Sequence, residues 1–547
     1  MPTLMGGTLI LVEEAKPMQA HLETETRIAR IRPVWAAGFA GNPLGFSGST
    51  NITIAVVDSG IDATHTDLAG RGVFWEDYST DASANPVDMT QHGTHVSSIA
   101  LGTGEASGSS TGTLFTSLSG TLSGVLNGNY FTTPMDLPTT TITFTATANW
   151  AGGGSGTLEL MSHNKGTKTG YVLEGHSVSG ISPLTLSVSV TGNPAKAYSP
   201  VLISNGSMSN YIINFQIPQF PGVDSFNRMR GVAPDCNWAA AKVFANDGSG
   251  LLNWTAAAVD DLVVARVTDN IKVMNLSLGA TGSPGISTST RQKSIPPSIP
   301  GFLLLVPGGN DGLLASSVAR QTDDPGRAAM ALTIVAANSQ NQLTDYSSQG
   351  FASPSTVPGQ EEDYKPDLMA PGGSSYYTSV FAADSNSGDT PSFADQQTND
   401  YWNIQGTSVA APFAAGCGAL VIEALERSGI SWDFTSAQSP MLVKMLLCAT
   451  ATESNTGRES NANNPSLQRA NDGANGYPAG KDQSEGYGMM NPDAAVEAAA
   501  VNLPLNATNS DSFGPTTTDR RAWARKINLP AGKNFLRASH RSCHWRF

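Results

Sequence analysis

Apolar residues along this chain form two kinds of pattern, unbroken short runs and strict alternation, and the two occupy different stretches. Ile52–Val57 is nearly all apolar and β-branched, as expected of a strand buried on both faces of a parallel sheet. Val273–Gly279 and Phe302–Val306 read the same way. The apolar stretch Val409–Ile422 predicts a helix that opens at Ser408 and runs to about Arg427, with Gly429 as its stop. That stretch is too short to span a bilayer, and Glu423 and Glu426 follow closely, so it is expected in the core. A second buried helix, rich in small residues, is expected to begin at His92.

Between Thr103 and Gly222 the period changes. Ile142, Phe144, Ala146, Ala148 and Trp150 alternate with polar residues, as do Leu184, Leu186, Val188 and Val190, and again Tyr211, Ile213, Phe215 and Ile217. Period two over several short segments, with Gly and Pro between them, predicts an antiparallel β-sandwich. The expected fold class is therefore α/β: a parallel sheet flanked by helices, interrupted by an inserted antiparallel β-sandwich domain.

Composition narrows the class. The chain has 547 residues, more than one ordinary domain, and only 14% of them are charged. Abundant Gly, Ser, Thr and Asn fit a loop-rich, exported protein, although Met1–Val12 lacks the basic opening and small-residue cleavage site of a secretion signal. The net charge of −14 argues against a nucleic-acid partner. Cys236, Cys417, Cys448 and Cys543 are too few and scattered for a disulfide scaffold. Cys417 and Cys448 fall in predicted helices as buried thiols, with a bridge between them left open. From Arg520 the chain turns basic, which reads as a solvated charge run.

The candidate chemistry sits at the ends of the predicted elements. Asp58 follows the first buried strand, where open α/β sheets collect functional groups, and Gly60 allows a sharp exit. Taken alone, Asp-Ser-Gly is equally a turn. His92 and His95 would share one helical face, but no Glu fills the general-base slot of a zinc protease helix and no third ligand is evident. Ser408 lies at the positive end of its helix, where negative charge on a substrate carbonyl would be stabilised; taken alone, Gly-Thr-Ser is equally an N-cap. Pro307-Gly308-Gly309-Asn310 follows another buried strand, with glycines that let backbone approach a ligand and an amide able to donate to an oxyanion. An acid, a base and a nucleophile are what acyl transfer needs: serine requires an imidazole to take its proton, and the imidazole a carboxylate to hold its tautomer.

The segments VVDSG, QHGTHV and QGTSVAAP, in that order, resemble the subtilisin family of serine endopeptidases. The resemblance implies a triad of Asp58, His92 and Ser408, with Asn310 and the Ser408 N–H forming the oxyanion hole. It implies that Ser277-Leu278-Gly279 and Gly248-Ser249-Gly250 are the two edges between which an extended peptide is held, near Gly308 and Gly309. Leu278 and Leu252 would line apolar pockets, and broad specificity would follow. Gly231–Pro234, Pro366–Gly372 and Gly486–Gly488 carry the resemblance to about residue 500. Protein or peptide substrates are implied, with no cofactor needed for chemistry, an extracellular location and no membrane span.

The expected organisation is a prodomain remnant at 1–30, with Leu9–Glu14 resembling its final strand, and peptidase parts at 31–104 and 224–503. The insert spans 105–223, and 504–547 is a linker with an incomplete appendage. Structural calcium is expected to be in question, because the insert replaces the loop that would partner Asp67; Glu76, Asp77, Asp81 and Asp88 offer another acidic group, with a solvated loop as the plainer reading. The insert is either passive, a binding module for insoluble protein or carbohydrate, or a gate beside the cleft. Two rivals stay open: a tripeptide-releasing exopeptidase, and an inactive relative acting through its insert. A sedolisin-type peptidase, with its glutamate base, is disfavoured by the His92 segment.

Overall fold

The computed structural model describes residues 22–107, 114–128, 134–167, 169–217, 226–279, 301–312, 321–328, 330–350, 364–374, 376–388, 398–452, 481 and 483–500. The expected prodomain strand, the C-terminal appendage and Cys543 lie outside them.

Seven strands form one parallel sheet: β1 (Thr53–Asp58), β2 (Gly72–Asp77), β3 (Asn237–Lys242), β4 (Ile271–Leu276), β5 (Leu303–Pro307), β6 (Leu332–Ala337) and β7 (Leu368–Pro371). Their order is β7-β6-β5-β4-β1-β3-β2. All six residues of β1 are buried, because helices cover both faces of the sheet. Ile54 and Val56 face one core together with Val409, Phe413 and Leu420. Ala55 and Val57 face the other, against Ala258, Val259 and Leu262.

Among the described residues the helices are α1 (Leu22–Ile28), α2 (His92–Leu101), α3 (Leu252–Ala265), α4 (Thr407–Arg427), α5 (Gln438–Thr450) and α6 (Pro492–Ala500), besides short helical turns. Helix α4 runs beneath β4, β5, β6 and β7 and packs on α2 and α6. Its span is the one expected from Ser408 to about Arg427, and at 21 residues it is long and apolar enough to cross a membrane, which the shorter apolar run alone is not; 94% of its apolar window is instead buried inside the fold. Cys236, Cys417 and Cys448 are buried thiols in no disulfide, so the bridge left open between the last two is not formed.

Two antiparallel sheets make up the inserted region. One pairs Val125–Gly128, Lys196–Asn205, Ser155–Asn164 and Thr169–Leu173, with Val178–Gly180 alongside. The other pairs Leu114–Leu122, Met208–Ile217, Thr141–Ala151 and Leu184–Thr191. Along Leu184–Thr191 every second residue is buried, as alternation requires of a strand with one wet face. The second sheet continues beyond the insert: the hairpin Val380–Ala383 and Tyr401–Ile404 joins it, with Tyr401 paired to Thr116. That hairpin also packs on α2, and residue 404 lies just ahead of α4.

Candidate active site

The carboxyl ends of β1, β4 and β5 meet the N-termini of α2 and α4, and the reactive groups gather there. Asp58 ends β1 almost fully buried, at 1% exposure. Its Oδ1 accepts the Ser59 N–H at 2.7 Å and the His92 Nδ1–H at 2.8 Å. Because an ionised carboxylate only accepts, the ring proton sits on Nδ1 and Nε2 keeps its lone pair. Nε2 then accepts the Ser408 hydroxyl at 3.0 Å. The three residues thus form one directed chain, carboxylate to imidazole to alcohol.

Two glycines let the loops come this close. A Cβ on Gly93 would lie 2.1 Å from Gly60 O, and one on Gly60 would lie 2.0 Å from Val87 O, at a backbone φ of +129° that side chains rarely adopt. The loop carrying Asp58 and the helix carrying His92 therefore touch backbone to backbone.

Burial disfavours the charged ring of His92, but the attraction and hydrogen bond of Asp58, helped by Asp88, outweigh it and hold the imidazole above its ordinary value. His95 contrasts with it. Its Nε2 meets Val380 O at 3.1 Å and Trp402 O at 3.2 Å, and burial followed by the field of His92 pushes it down to about 3. It is a neutral ring tying α2 to the hairpin, not a ligand.

Asn310 lies just beyond β5, and Thr407 donates to its Oδ1 through both N–H and hydroxyl. Gly308 and Gly309 serve the bend rather than an open surface: a Cβ on Gly309 would lie 2.4 Å from Asp323 Oδ2, and one on Gly308 2.8 Å from Val335 Cγ1. Ser277 follows β4, and its hydroxyl donates to Ser408 O at 2.7 Å while accepting from Asn275 Nδ2 at 2.9 Å. Its side chain supports the nucleophile's backbone. Leu278 is only 9% exposed and belongs to the second core, whereas Leu252 is 44% exposed. Gly248, Ser249 and Gly250 form a tight exposed turn, with Ala245 N–H donating to Ser249 O at 2.8 Å and Gly250 bridged to Phe244.

Asp67 does not fit a calcium ligand here. It is fully buried, and its oxygens accept Ala106 N–H at 2.9 Å and Tyr401 O–H at 2.7 Å, donors where a cation needs acceptors. The other acidic group is likewise dispersed. Asp77 accepts from Ser79 and Ser83, Asp81 from Asn246 N–H, and Asp88 from the start of α2, while Glu76 is exposed. Among the described residues no three His, Cys, Asp or Glu side chains are grouped as metal ligands.

Several participants escaped the sequence reading: Ser59, Asp88, Asn275 and Thr407, and also Lys242. The last is fully buried, and its ammonium donates to Ser59 O at 2.9 Å, next to Asp58. Only the position of Lys242 at the end of β3 hinted at this.

The chain is similar in sequence to known proteins over part of its length. The family model of the subtilase family matches residues 49–130 and 208–488, leaving 131–207 unmatched. Subtilisin of Bacillus sp. (strain TA39) is 30% identical over 203 residues, covering 36% of this chain and 42% of that protein. Subtilisin E of Bacillus subtilis (strain 168) is 28% identical over 193 residues, 35% of this chain and 40% of its own. The matched part is thus less than half the length of these relatives. Among solved structures, the S41 psychrophilic protease covers 84% of this chain and 96% of its own at 19% identity and a TM-score of 0.43.

Proposed function

The chain belongs to the subtilase family, and we propose that it is a serine endopeptidase that cleaves proteins of broad sequence through an acyl-enzyme. The observation that carries this reading is the directed chain Asp58–His92–Ser408, closed at 2.8 Å and 3.0 Å. His92 Nε2 takes the hydroxyl proton as Ser408 Oγ attacks the scissile carbonyl, and Asp58 stabilises the imidazolium. The carbonyl oxygen, now negative, is met by Asn310 Nδ2 and the Ser408 N–H. His92 then returns the proton to the leaving amine. Water enters by the same route in reverse and frees Ser408. Side chains and water suffice for these steps.

An extended substrate strand lies between Ser277–Gly279 and the Gly248–Gly250 turn, held chiefly by main-chain bonds, which is why side-chain selectivity is low. The exposed Leu251 and Leu252, 53% and 44% accessible, give that edge its apolar character. The enzyme works outside the cell, a reading supported by its low charge and its Gly/Ser/Thr-rich composition, and the region 105–223 meets insoluble substrate there.

The test is labelling of the full chain by a serine-directed fluorophosphonate, with Ser408→Ala as the control. Labelling that Ser408→Ala abolishes supports the reading; a folded wild-type chain that stays unlabelled overturns it. Digestion of an unstructured protein then separates the modes of cleavage. Internal fragments support an endopeptidase, and uniform tripeptides would replace it with an exopeptidase.

A further inference from the structure

Asp88 is a carboxylate that the reaction does not consume, yet it is fully buried 4 residues before His92. Its Oδ2 accepts both the N–H and the hydroxyl of Thr94, each at 2.8 Å. Its Oδ1 accepts Gln91 N–H at 3.0 Å, Thr90 N–H at 3.2 Å and the Ser59 hydroxyl at 2.9 Å. The Ser59 oxygen in turn accepts Gly93 N–H at 2.9 Å. Thr94 Oγ1 accepts Asp62 N–H at 3.0 Å, from the loop that leaves β1. One buried carboxylate thus satisfies the N–H groups of Gln91 and Thr94 at the opening of α2 and, through the Ser59 hydroxyl that also takes Gly93 N–H, ties them to the residue that follows Asp58.

We infer that Asp88 is the positioning residue of the triad: it locks the helix that carries His92 onto the strand end that carries Asp58. This rests on the catalytic reading above. Ser59 is the hinge of the lock, since its N–H donates to Asp58 Oδ1 while its hydroxyl bridges Asp88 and Gly93. Lys242 fixes the same residue from the far side through Ser59 O. Without Asp88, His92 would keep both its neighbours in sequence but lose the register that sets its 2.8 Å and 3.0 Å contacts.

The carboxylate also acts on the imidazole at a distance. The charged or titratable groups facing His92 are Asp58 and Asp88, which both favour its protonated form, the Ser408 hydroxyl, and His95, which burial keeps neutral. Removing the negative charge of Asp88 while preserving its shape should therefore move the acidic limb of turnover to lower pH. A purely structural cap would leave that limb in place.

The experiment compares the full chain with Asp88→Asn and Ser59→Ala in steady-state cleavage across pH, alongside fluorophosphonate labelling and thermal unfolding. Asp88→Asn is expected to lower kcat by about 10- to 100-fold, with KM changed less than about twofold, because small displacements of a catalytic group cost rate before binding. Its acidic limb should shift down, and its labelling rate should fall in step with kcat. Ser59→Ala, which removes the hydroxyl bridge between Asp88 and Gly93 but leaves the charge of Asp88 in place, should lower kcat without moving the limb, and it carries the test if Asp88→Asn does not fold. Tyr401→Phe is a control for lost stability alone. Variants that lose only thermal stability, with kcat and the limb as in wild type, overturn the inference. A wild-type chain that does not label would instead overturn the catalytic reading.

Discussion

Thr407 donates twice to one atom of Asn310: its N–H reaches Oδ1 at 2.9 Å and its hydroxyl reaches the same oxygen at 3.0 Å. An amide carries its oxygen and its NH₂ on opposite sides, so pinning Oδ1 on Thr407 turns Nδ2 toward the nucleophile. The assignment of oxygen and nitrogen follows from this network, since only the oxygen can accept two donors.

Asn310→Ala should therefore lower turnover by about 10²- to 10³-fold while leaving apparent substrate affinity nearly unchanged. Thr407→Val keeps the volume but removes one of the two donors, so a smaller fall in the same parameter is expected. Steady-state kinetics on a peptide substrate reads both. A change confined to KM would contradict the oxyanion role.

Gly406 tests the same space from the other side. A Cβ there would lie 3.0 Å from Ser408 Oγ, 3.7 Å from Asn310 Nδ2 and 3.7 Å from Ser408 N, at the point where nucleophile and both donors converge. Its backbone is extended, with φ of 162°, so alanine meets no conformational penalty. Gly406→Ala should fold normally and lose about 10²-fold or more in labelling rate, because the methyl occupies the place of the reacting carbonyl. Unchanged unfolding temperature with lost labelling is the expected pair of results.

How much of this was legible beforehand depends on the range of the contacts. The runs around Ile54, Leu303 and Val409 announced buried strands and a helix because burial on every side leaves no polar alternative. Alternation in Leu184–Val190 gave away its one wet face. The donors to Asp67 were hidden, since Tyr401 and Ala106 lie 334 and 39 residues away in sequence. The hairpin at 380–404 was missed for a similar reason: four-residue strands carry almost no periodicity, and their pairing with the insert depends on tertiary proximity alone. Asp88 read as one more acid in a loop because a cap is defined by which N–H groups face it, which composition does not record.

The raised affinity of His92 for its proton sets a pH dependence. The reaction needs the neutral ring, so kcat/KM should rise with pH along an acidic limb displaced upward from the ordinary imidazole value. Asp58→Asn should bring that limb down and sharply reduce the plateau, since Nδ1 then loses the acceptor that holds its tautomer. The stability sign is opposite. With the folded value above the unfolded one, the contribution of the protonated ring is complete below the unfolded pKa and disappears as pH climbs through the folded one. Chemical denaturation of Ser408→Ala across that range would read it without self-digestion.

Tyr401→Phe removes the hydroxyl that satisfies one buried oxygen of Asp67. Leaving a buried acceptor unmatched costs about 1–3 kcal/mol. Burial already holds the Asp67 carboxyl above its usual range, against the opposing pull of His65, Ala106 N–H and Tyr401. Losing one of these should make the deficit grow as pH rises and the carboxylate is forced to ionise. A lower unfolding temperature, with kcat retained in the surviving fold, is expected; lost kcat at full stability would mean that the hairpin acts on the site directly.

Glu25 offers the clearest electrostatic liability. It lies on α1 with no exposure, and among the described residues neither of its carboxyl oxygens has a hydrogen-bond partner. Burial first, then the nearby Asp136, raise it from 4.5 to about 8, and Lys165, which is paired with Asp136 at 2.5 Å, offsets only part. Between those two values the folded chain holds a proton that the unfolded chain has released. Stability should then fall as pH rises, by up to about 1.4 kcal/mol per pH unit from this group. Glu25→Gln keeps the neutral shape, so it should match wild type near pH 5 and be the more stable of the two near pH 8. Denaturation midpoints of the two chains, taken in the Ser408→Ala background, would diverge with rising pH if the carboxyl is as confined as its surroundings require, and would run parallel if it reaches water.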